Sequence, residues 1–113
     1  MSPPVGRADF EAQAPPILVE HPLPGDHVSM PLRVDGTADV FEGQFTVDVE
    51  TTAGKLLARR AVTASAGTGV RGSFSVTVPL HTPPRQLVVQ AYDRSAKDGA
   101  RIDLVRIAIT RTR

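Results

Sequence analysis

Three histidines are the side chains of this sequence best suited to binding a metal or transferring a proton: His21, His27 and His81. A zinc site takes ligands at close spacing or from adjacent strands, whereas His21 and His27 are separated by a turn that contains two prolines. We therefore expect surface or turn histidines, and the sequence predicts neither a metal site nor a bound cofactor.

A glycine-rich segment at 67–72, Gly-Thr-Gly-Val-Arg-Gly, has the composition of a phosphate-binding loop. Such loops hold the anion at the N-terminus of the helix that follows them. A strand pattern follows this segment instead, so we interpret it as a flexible loop.

Four carboxylates lie in two short connections: Asp39 and Glu42 in one, Asp93 and Asp98 in the other. A calcium ion takes roughly six to eight oxygen ligands, and the spacing of these four residues does not reveal such a cluster. We expect solvated turns in which aspartates cap nearby backbone amides.

The motifs of common catalytic sites are missing from the sequence, including the Gly-x-Ser-x-Gly, P-loop and His-Glu-x-x-His patterns. The chain has no cysteine, which excludes a cysteine nucleophile, a thiolate metal site and disulfides. Because no nucleophile can be paired with a base, the sequence predicts a non-enzymatic protein.

Five residues could form an interaction surface: Phe41, Glu42, Arg59, Arg60 and Tyr92. We expect Phe41 to plug one end of the fold, with an exposed contact as the alternative. Neighbouring arginines on a strand point to opposite faces, so one of the two must form a salt bridge or extend its stem over the surface. An edge strand would suit this pair, because charge there blocks unwanted sheet pairing.

Length and composition indicate one soluble globular domain. The 113 residues match a common domain size, and 41% are hydrophobic and 22% charged. The formal net charge of +1 gives no strong field for a polyanion, so no nucleic-acid partner is expected. Aromatic residues make up only 4% of the chain, so stacking platforms for bases or sugars are scarce.

Two regions of the chain differ in pattern. Residues 1–16 hold four prolines and no hydrophobic periodicity, which predicts a flexible linker. Residues 17–113 predict a folded domain of short alternating runs separated by turns. The run at 55–64 also fits one helical face, but Val62 and Thr63 favour a strand. The predicted strands cover 17–20, 30–38, 45–50, 55–64, 73–78, 86–92 and 102–110.

These seven strands must bury their apolar faces against one another. A single open sheet would need helices to cover its second face, and none is predicted. The pattern therefore favours an all-β fold, an antiparallel β-sandwich of about seven strands.

Several short motifs in the chain occur in the order that one known family shows. They are Ile-Leu-Val-Glu-His-Pro-Leu-Pro-Gly at 17–25, Ser-Met-Pro-Leu at 29–32, Val-Asp-Gly-Thr-Ala at 34–38, Val-Phe-Glu-Gly at 40–43 with Phe45, Gly-Ser-Phe at 72–74, and the turn at 95–99. Over about residues 17–110 the chain resembles the bacterial spore-germination immunoglobulin-like domain, Gmad2.

The resemblance implies an immunoglobulin-like sandwich without a known catalytic residue. It also implies an extracytoplasmic setting, because such domains are found in bacterial envelope, lipoprotein or sporulation-related proteins, usually as one domain of a longer chain. In immunoglobulin-like folds a tyrosine hydroxyl often ties a corner of the sandwich, and Tyr92 is the candidate for that role.

The leading functional hypothesis is a non-catalytic module of a bacterial cell-envelope or germination-related protein. It would mediate protein contact or spacing through loops at the sandwich ends or an exposed edge strand. The alternative is an accessory domain that binds cell-wall carbohydrate or peptidoglycan beside an enzyme in the parent chain. No signal peptide or membrane span is recognisable, so direct membrane insertion is not expected.

Overall fold

The computed structural model describes residues 15–112, and most of these residues are in β-strands. All seven predicted strands are present, and the ambiguous segment 55–64 is a strand rather than a helix. The predicted linker at 1–16 lies almost wholly outside the described residues. The strands are β1 (Ile17–His21), β2 (His27–Val28), β3 (Leu32–Ala38), β4 (Gln44–Thr51), β5 (Leu56–Thr63), β6 (Gly72–Val78), β7 (Gln86–Arg94) and β8 (Arg101–Arg111).

The strands form two sheets that pack face to face. The small sheet has the order β1-β3-β6, and the large sheet has the order β2-β8-β7-β4-β5. Neighbouring strands are antiparallel except for β2 and β8, which run parallel. The predicted immunoglobulin-like β-sandwich is therefore confirmed.

The sequence pattern predicted neither the two-residue strand β2 nor the short 3₁₀ turn at Phe41–Gly43. After β1 the chain leaves the small sheet, turns at 22–26 and joins the edge of β8 in the large sheet. Thr110 N donates a hydrogen bond to Asp26 O at 2.9 Å just before β2 begins. Backbone pairing holds this strand, and its two residues are too few to show a hydrophobic alternation.

Aliphatic side chains from the inner faces of both sheets form the core. On β4 the inward residues Phe45, Val47 and Val49 are buried in that core. Phe45 packs edge-to-face on Phe74 of β6, with 4.8 Å between ring centroids, and so joins the two sheets. Full burial of each such side chain contributes roughly 1.5 to 3 kcal/mol.

The strand β5 lies at the edge of the large sheet and pairs along its length with β4. This register puts Val62 opposite Phe45, and both are buried in the core. Pairing with β4 satisfies backbone groups that a helix would have satisfied internally. Tertiary context therefore decides against the helical alternative at 55–64.

Three connections meet at one end of the sandwich: 39–43 between β3 and β4, 64–71 between β5 and β6, and 95–100 between β7 and β8. We call these three segments the loop rim. The strand registers require this arrangement. In each antiparallel pair below, one strand ends at the level where its partner begins, so the three connections lie at the same end. The paired residues that border the rim are Ala38 with Gly72, Gln44 with Thr63, and Arg94 with Arg101.

Candidate functional site

The connection at 39–43 carries an apolar side chain that faces solvent, because Phe41 is 70% exposed. Glu42 and Gly43 follow it with left-handed backbone, at φ 56° and 68°. A hydrogen bond from Gly43 N to Val40 O, at 2.8 Å, closes the turn. The expectation that Phe41 plugs the sandwich end is wrong, because the smaller Val40 takes the buried position and the turn leaves the ring outside.

The loop at 64–71 braces this turn through Thr68. The Thr68 Oγ1 accepts a hydrogen bond from Glu42 N at 2.8 Å, and Thr68 N donates to Val40 O at 2.9 Å. The segment that we predicted to be a flexible loop is thus bonded to the neighbouring connection. A strand, β6, follows it, as expected.

Glycine makes the close approach of the two loops possible. A Cβ on Gly67 would lie 2.1 Å from Gly43 N, so no larger residue fits there without a shift of backbone. Nearby, Gly69 N donates to Asp39 Oδ1 at 2.9 Å, so this carboxylate bonds across to the second loop rather than capping an amide of its own turn. The connection and the loop therefore form one braced unit.

Two apolar side chains of this braced unit are exposed together with one carboxylate. Phe41 and Val70 are among the exposed large hydrophobic residues of the chain, and Glu42 is exposed beside Phe41. This mixture provides apolar contact area and one negative charge. The chemistry that it supports is recognition by surface contact.

The other predicted carboxylates have capping roles. Asp98 Oδ1 accepts from Ala100 N at 3.0 Å, and Asp93 Oδ1 accepts from Arg94 N at 2.8 Å. In the described part of the chain no group of three or more His, Asp or Glu side chains is placed to hold a metal ion. The histidines lie apart, on β1, on β2 and in the loop after β6: His21, His27 and His81.

A second polar cluster lies on the outer face of the large sheet around Asp48, which is fully buried. Arg59 donates from Nε and Nη2 to the two carboxylate oxygens, at 2.8 and 3.0 Å. The Tyr92 hydroxyl donates to Oδ2 at 2.8 Å, and Arg101 Nη2 lies 3.6 Å from the same oxygen. Burial alone raises the pKa of Asp48, but the bonds from Arg59 and Tyr92 outweigh it and hold the pKa below its usual value.

Tyr92 is fully buried and so cannot contribute to an interaction surface. Two guanidinium groups cover its ring: the Cζ atoms of Arg101 and Arg94 lie 4.4 and 5.3 Å from the ring centroid. Its hydroxyl donates to a side chain on the neighbouring strand rather than to the backbone. The predicted corner role of Tyr92 is therefore wrong as well.

The arginine pair of β5 behaves as the alternation of a strand requires. Arg59 lies opposite Asp48 and forms the salt bridge on the outer face. Arg60 lies opposite the inward-facing Val47, and its Nη1 donates to Arg59 O at 2.9 Å. The expected salt bridge and edge position of the pair are both confirmed.

The sequence-based reasoning did not single out Asp48, Gln90 or Arg101. One signal was available, because Asp48 and Arg59 are equidistant from the turn at 53–54 and a hairpin register places such residues opposite each other. Arg101 reaches back across the sheet instead, and its Nη1 donates to Gln90 Oε1 at 3.1 Å. That contact depends on a register shift between β7 and β8 that no local pattern indicates.

Comparison with known proteins adds one family match. A family model described as the immunoglobulin-like domain of bacterial spore germination matches residues 16–100. The match covers β1 to β7 and ends just before β8 begins at Arg101. No curated protein is significantly similar to the chain. Within residues 15–112, no helix has the length and apolar character needed to cross a bilayer.

Proposed function

The chain belongs to the Gmad2 family, the immunoglobulin-like domains of bacterial spore germination, and we propose that it is a non-catalytic module that binds a protein partner through its loop rim. Its parent would be a germination-related protein of the cell envelope, with this domain as one part of a longer chain. An extracytoplasmic position is the setting that the family suggests for such a module.

The observation that carries the proposal is the exposed ring of Phe41 on a braced turn. A ring left in water does not contribute the roughly 1.5 to 3 kcal/mol of stabilisation that its burial would give. The left-handed backbone of Glu42 costs about 1 to 3 kcal/mol more, since it is not a glycine. Two unfavourable features kept at one place are typical of a recognition surface. Aromatic anchors contribute most of the binding energy at such surfaces.

The bracing of the turn lowers the entropic cost of binding. Thr68 holds Glu42 and Val40 from the second loop, so the backbone around Phe41 is fixed before a partner arrives. Pre-organised loops lose less conformational freedom on association than free ones. The rim also lies at one end of the sandwich, as do the recognition loops of antibody variable domains.

Protein contact is favoured over sugar stacking by the distribution of aromatic rings. Within residues 15–112 Phe41 is the exposed aromatic side chain, and the others are buried: Phe45, Phe74 and Tyr92. A single phenylalanine, on a braced unit that also exposes Val70 and Glu42, gives a small surface with an aromatic anchor of the kind enriched in protein interfaces. Two carboxylates of the rim, Asp39 and Asp98, already accept hydrogen bonds from backbone amides.

The test is site-specific photo-crosslinking in bacteria that make the parent protein. Phe41 is replaced by the photoreactive residue benzoylphenylalanine, and the matched control carries the same residue in place of Leu23, an exposed apolar residue at the opposite end of the sandwich. We expect a crosslinked protein adduct from position 41 and none from position 23. Equal yields at both positions, no adduct at either, or an adduct to peptidoglycan alone would refute the proposal.

A further inference from the structure

The edge of the small sheet formed by β6 lacks the features that normally keep sheet edges apart. The strand pairs with β3 in an antiparallel register that no bulge interrupts. Its sequence, Gly-Ser-Phe-Ser-Val-Thr-Val at 72–78, contains neither a charged residue nor a proline. Among the residues that the structure describes, no strand pairs with its other side. Exposed edges usually carry charges, prolines or bulges that prevent association, so β6 is unusual.

The other edge strands are protected in these ways. The strand β5 carries two neighbouring arginines, Arg59 and Arg60. The strand β8 is covered by β2 only near its C-terminal end, and its register shifts beside the left-handed residue Asp103, at φ 56°. The strand β1 has a register shift after Val19 and carries the charged residue Glu20. Within residues 15–112, β6 is therefore the edge that is open to pairing with another strand.

The hydrogen bonds of Ser65 show which backbone groups of β6 face the open edge. Ser65 N donates to Ser73 O at 2.9 Å, and Ser73 N donates to Ser65 Oγ at 2.9 Å. Because the backbone groups of successive strand residues point to opposite sides, those of Ser75 and Thr77 face the same way as those of Ser73. In the described part of the chain they have no hydrogen-bond partner. The next residue in this series is Pro79, which has no N–H, so the open stretch consists of Ser75 and Thr77.

We propose that β6 pairs with β6 of a second copy of this chain, in antiparallel register about a two-fold axis at Val76. Ser75 of each copy then lies opposite Thr77 of the other, and each such pair exchanges both backbone hydrogen bonds. Val76 faces inward, but it is only half-buried at the margin of the core. On the axis it meets Val76 of the other copy in the non-hydrogen-bonded position, where side chains approach most closely. The pairing therefore satisfies the open backbone groups and covers an apolar side chain.

Charges on β3 favour this register over its neighbours. In the β3–β6 pairing Arg33 lies opposite Thr77, and Asp35 lies opposite Ser75. With the axis at Val76, Arg33 of one copy shares a row across the joined sheet with Asp35 of the other. An axis at Ser75 would align Asp35 with Asp35, and an axis at Thr77 would align Arg33 with Arg33. These rows span three strand spacings of about 4.8 Å, so the charges select the register more than they strengthen the contact.

The shortness of the open stretch favours a folded partner over a free peptide. Ordering each residue of a flexible chain costs about as much free energy as one backbone hydrogen bond contributes. A disordered segment would therefore gain little from Ser75 and Thr77. A strand of a second copy is already ordered before it binds, and β6 is the edge that this copy has open.

The test is sedimentation equilibrium of the 113-residue chain at concentrations up to the millimolar range. We expect a dimer with a dissociation constant of about 0.1 mM, because a contact between two edges buries less area than a stable interface. The variant S75K/T77K places lysine opposite lysine in both pairs and should weaken the dimer about tenfold. The variant S75E/T77E should be weakened similarly, and an equimolar mixture of the two should associate again. The matched controls S29K/T52K and S29E/T52E change exposed hydroxyl residues outside β6 and should each dimerise like the wild type, with no gain on mixing.

Single cysteines test the register directly, because the chain has none of its own. The variant V76C brings two cysteines together on the axis, where the Cα atoms of a non-hydrogen-bonded pair lie about 4.5 Å apart, within reach of a disulfide. The control T77C is more exposed, but its cysteine lies opposite Ser75 of the other copy, and the two cysteines are too far apart to join. With oxidised glutathione we expect a disulfide-linked dimer from V76C and none from T77C.

The proposal is overturned if the chain stays monomeric at every concentration, if S75K/T77K dimerises as well as the wild type, or if the two charged variants do not associate when mixed. Equal crosslinking of T77C and V76C would also overturn it. So would a monomer in which the amides of Ser75 and Thr77 are protected from hydrogen exchange, since another segment of the same chain would then occupy the edge. The variant F41A should dimerise like the wild type, so failure here is distinguishable from failure of the loop-rim proposal.

Discussion

Arg59 on the edge strand β5 donates hydrogen bonds to both carboxylate oxygens of Asp48 on β4, from Nε at 2.8 Å and from Nη2 at 3.0 Å. The carboxylate is fully buried, whereas the arginine remains 47% exposed. A bidentate pair of this geometry fixes the position of the edge strand relative to the centre of the sheet. The edge strand β5 is therefore held to β4 by an ion pair as well as by backbone hydrogen bonds.

Replacing Asp48 by asparagine should destabilise the protein. The change keeps the shape of the side chain but removes the negative charge that Arg59 and Arg101 face. Because both arginines are partly exposed, we expect a loss of about 2 kcal/mol, below the usual cost of breaking a fully buried pair. Urea denaturation of the wild type and the variant measures this loss in the free energy of unfolding. The control D35N breaks the exposed pair with Arg33 and should cost about 0.5 kcal/mol; equal losses would contradict the assigned role of Asp48.

Acid should weaken the fold partly through the same residue. Burial raises the pKa of Asp48, but its bonds to Arg59 and Tyr92 lower it further, so the folded pKa lies below the unfolded value. The unfolded chain therefore binds more protons, and this contribution is complete above the unfolded pKa of about 4 and is lost as the pH falls through the folded pKa. Urea denaturation at neutral and acid pH should show a smaller acid loss for D48N than for the wild type. The same loss in both proteins would exclude Asp48 as the source.

Removing the hydroxyl of Tyr92 should cost stability in a way that depends on Asp48. The variant Y92F keeps the ring beneath Arg101 but takes a donor from the buried carboxylate. We expect a loss of about 1.5 to 3 kcal/mol, the range for a hydrogen bond to a charged group. In the D48N background the same change should cost clearly less, which a double-mutant cycle measures. Additive losses would mean that the two groups act independently.

The sandwich was predictable because apolar and polar residues alternate regularly along its strands. Phe45, Val47 and Val49 follow one another at every second position, and this period requires one buried face whatever the register. The position of β2 was not predictable, since parallel pairing of two residues depends on where the turn at 22–26 delivers the chain. A local pattern carries no information of that kind.

The loop rim and the polar cluster around Asp48 were harder to predict than the fold, because each depends on a backbone detail. Phe41 faces solvent because Glu42 adopts a left-handed conformation, which a non-glycine residue rarely does. Arg101 reaches Gln90 because the β7–β8 register shifts near Asp93. Neither detail is visible in residue types and spacing. The burial of Tyr92 beneath Arg94 and Arg101 is equally hidden there, and the sequence predicts a surface residue at that position.

Replacing Gly67 by alanine should destabilise the braced loops. The added Cβ would lie 2.1 Å from Gly43 N, and only movement of backbone can relieve that contact. We expect a loss of about 3 kcal/mol, at the upper end of single-residue effects. The control G54A adds the same atom where nothing lies within 4 Å, at a positive φ, and should cost about 1 kcal/mol. Thermal denaturation compares the two, and equal losses would show that the loops do not touch as described.

The exposure of Phe41 predicts that its removal leaves the fold intact. The variant F41A should change the free energy of unfolding by less than about 0.5 kcal/mol, as surface substitutions usually do. Its buried neighbour provides the contrast, since F45A should lose about 3 to 5 kcal/mol. Chemical denaturation of both variants checks this, and a large loss for F41A would place the ring inside the fold.

The most direct test is the affinity of F41A for the protein captured by crosslinking at that position. Isothermal titration calorimetry compares the variant with the wild type, both shown to be equally stable. If the loop rim is the recognition surface, loss of its aromatic anchor should weaken binding about tenfold or more, as hot-spot residues do. An unchanged dissociation constant would contradict the proposed function.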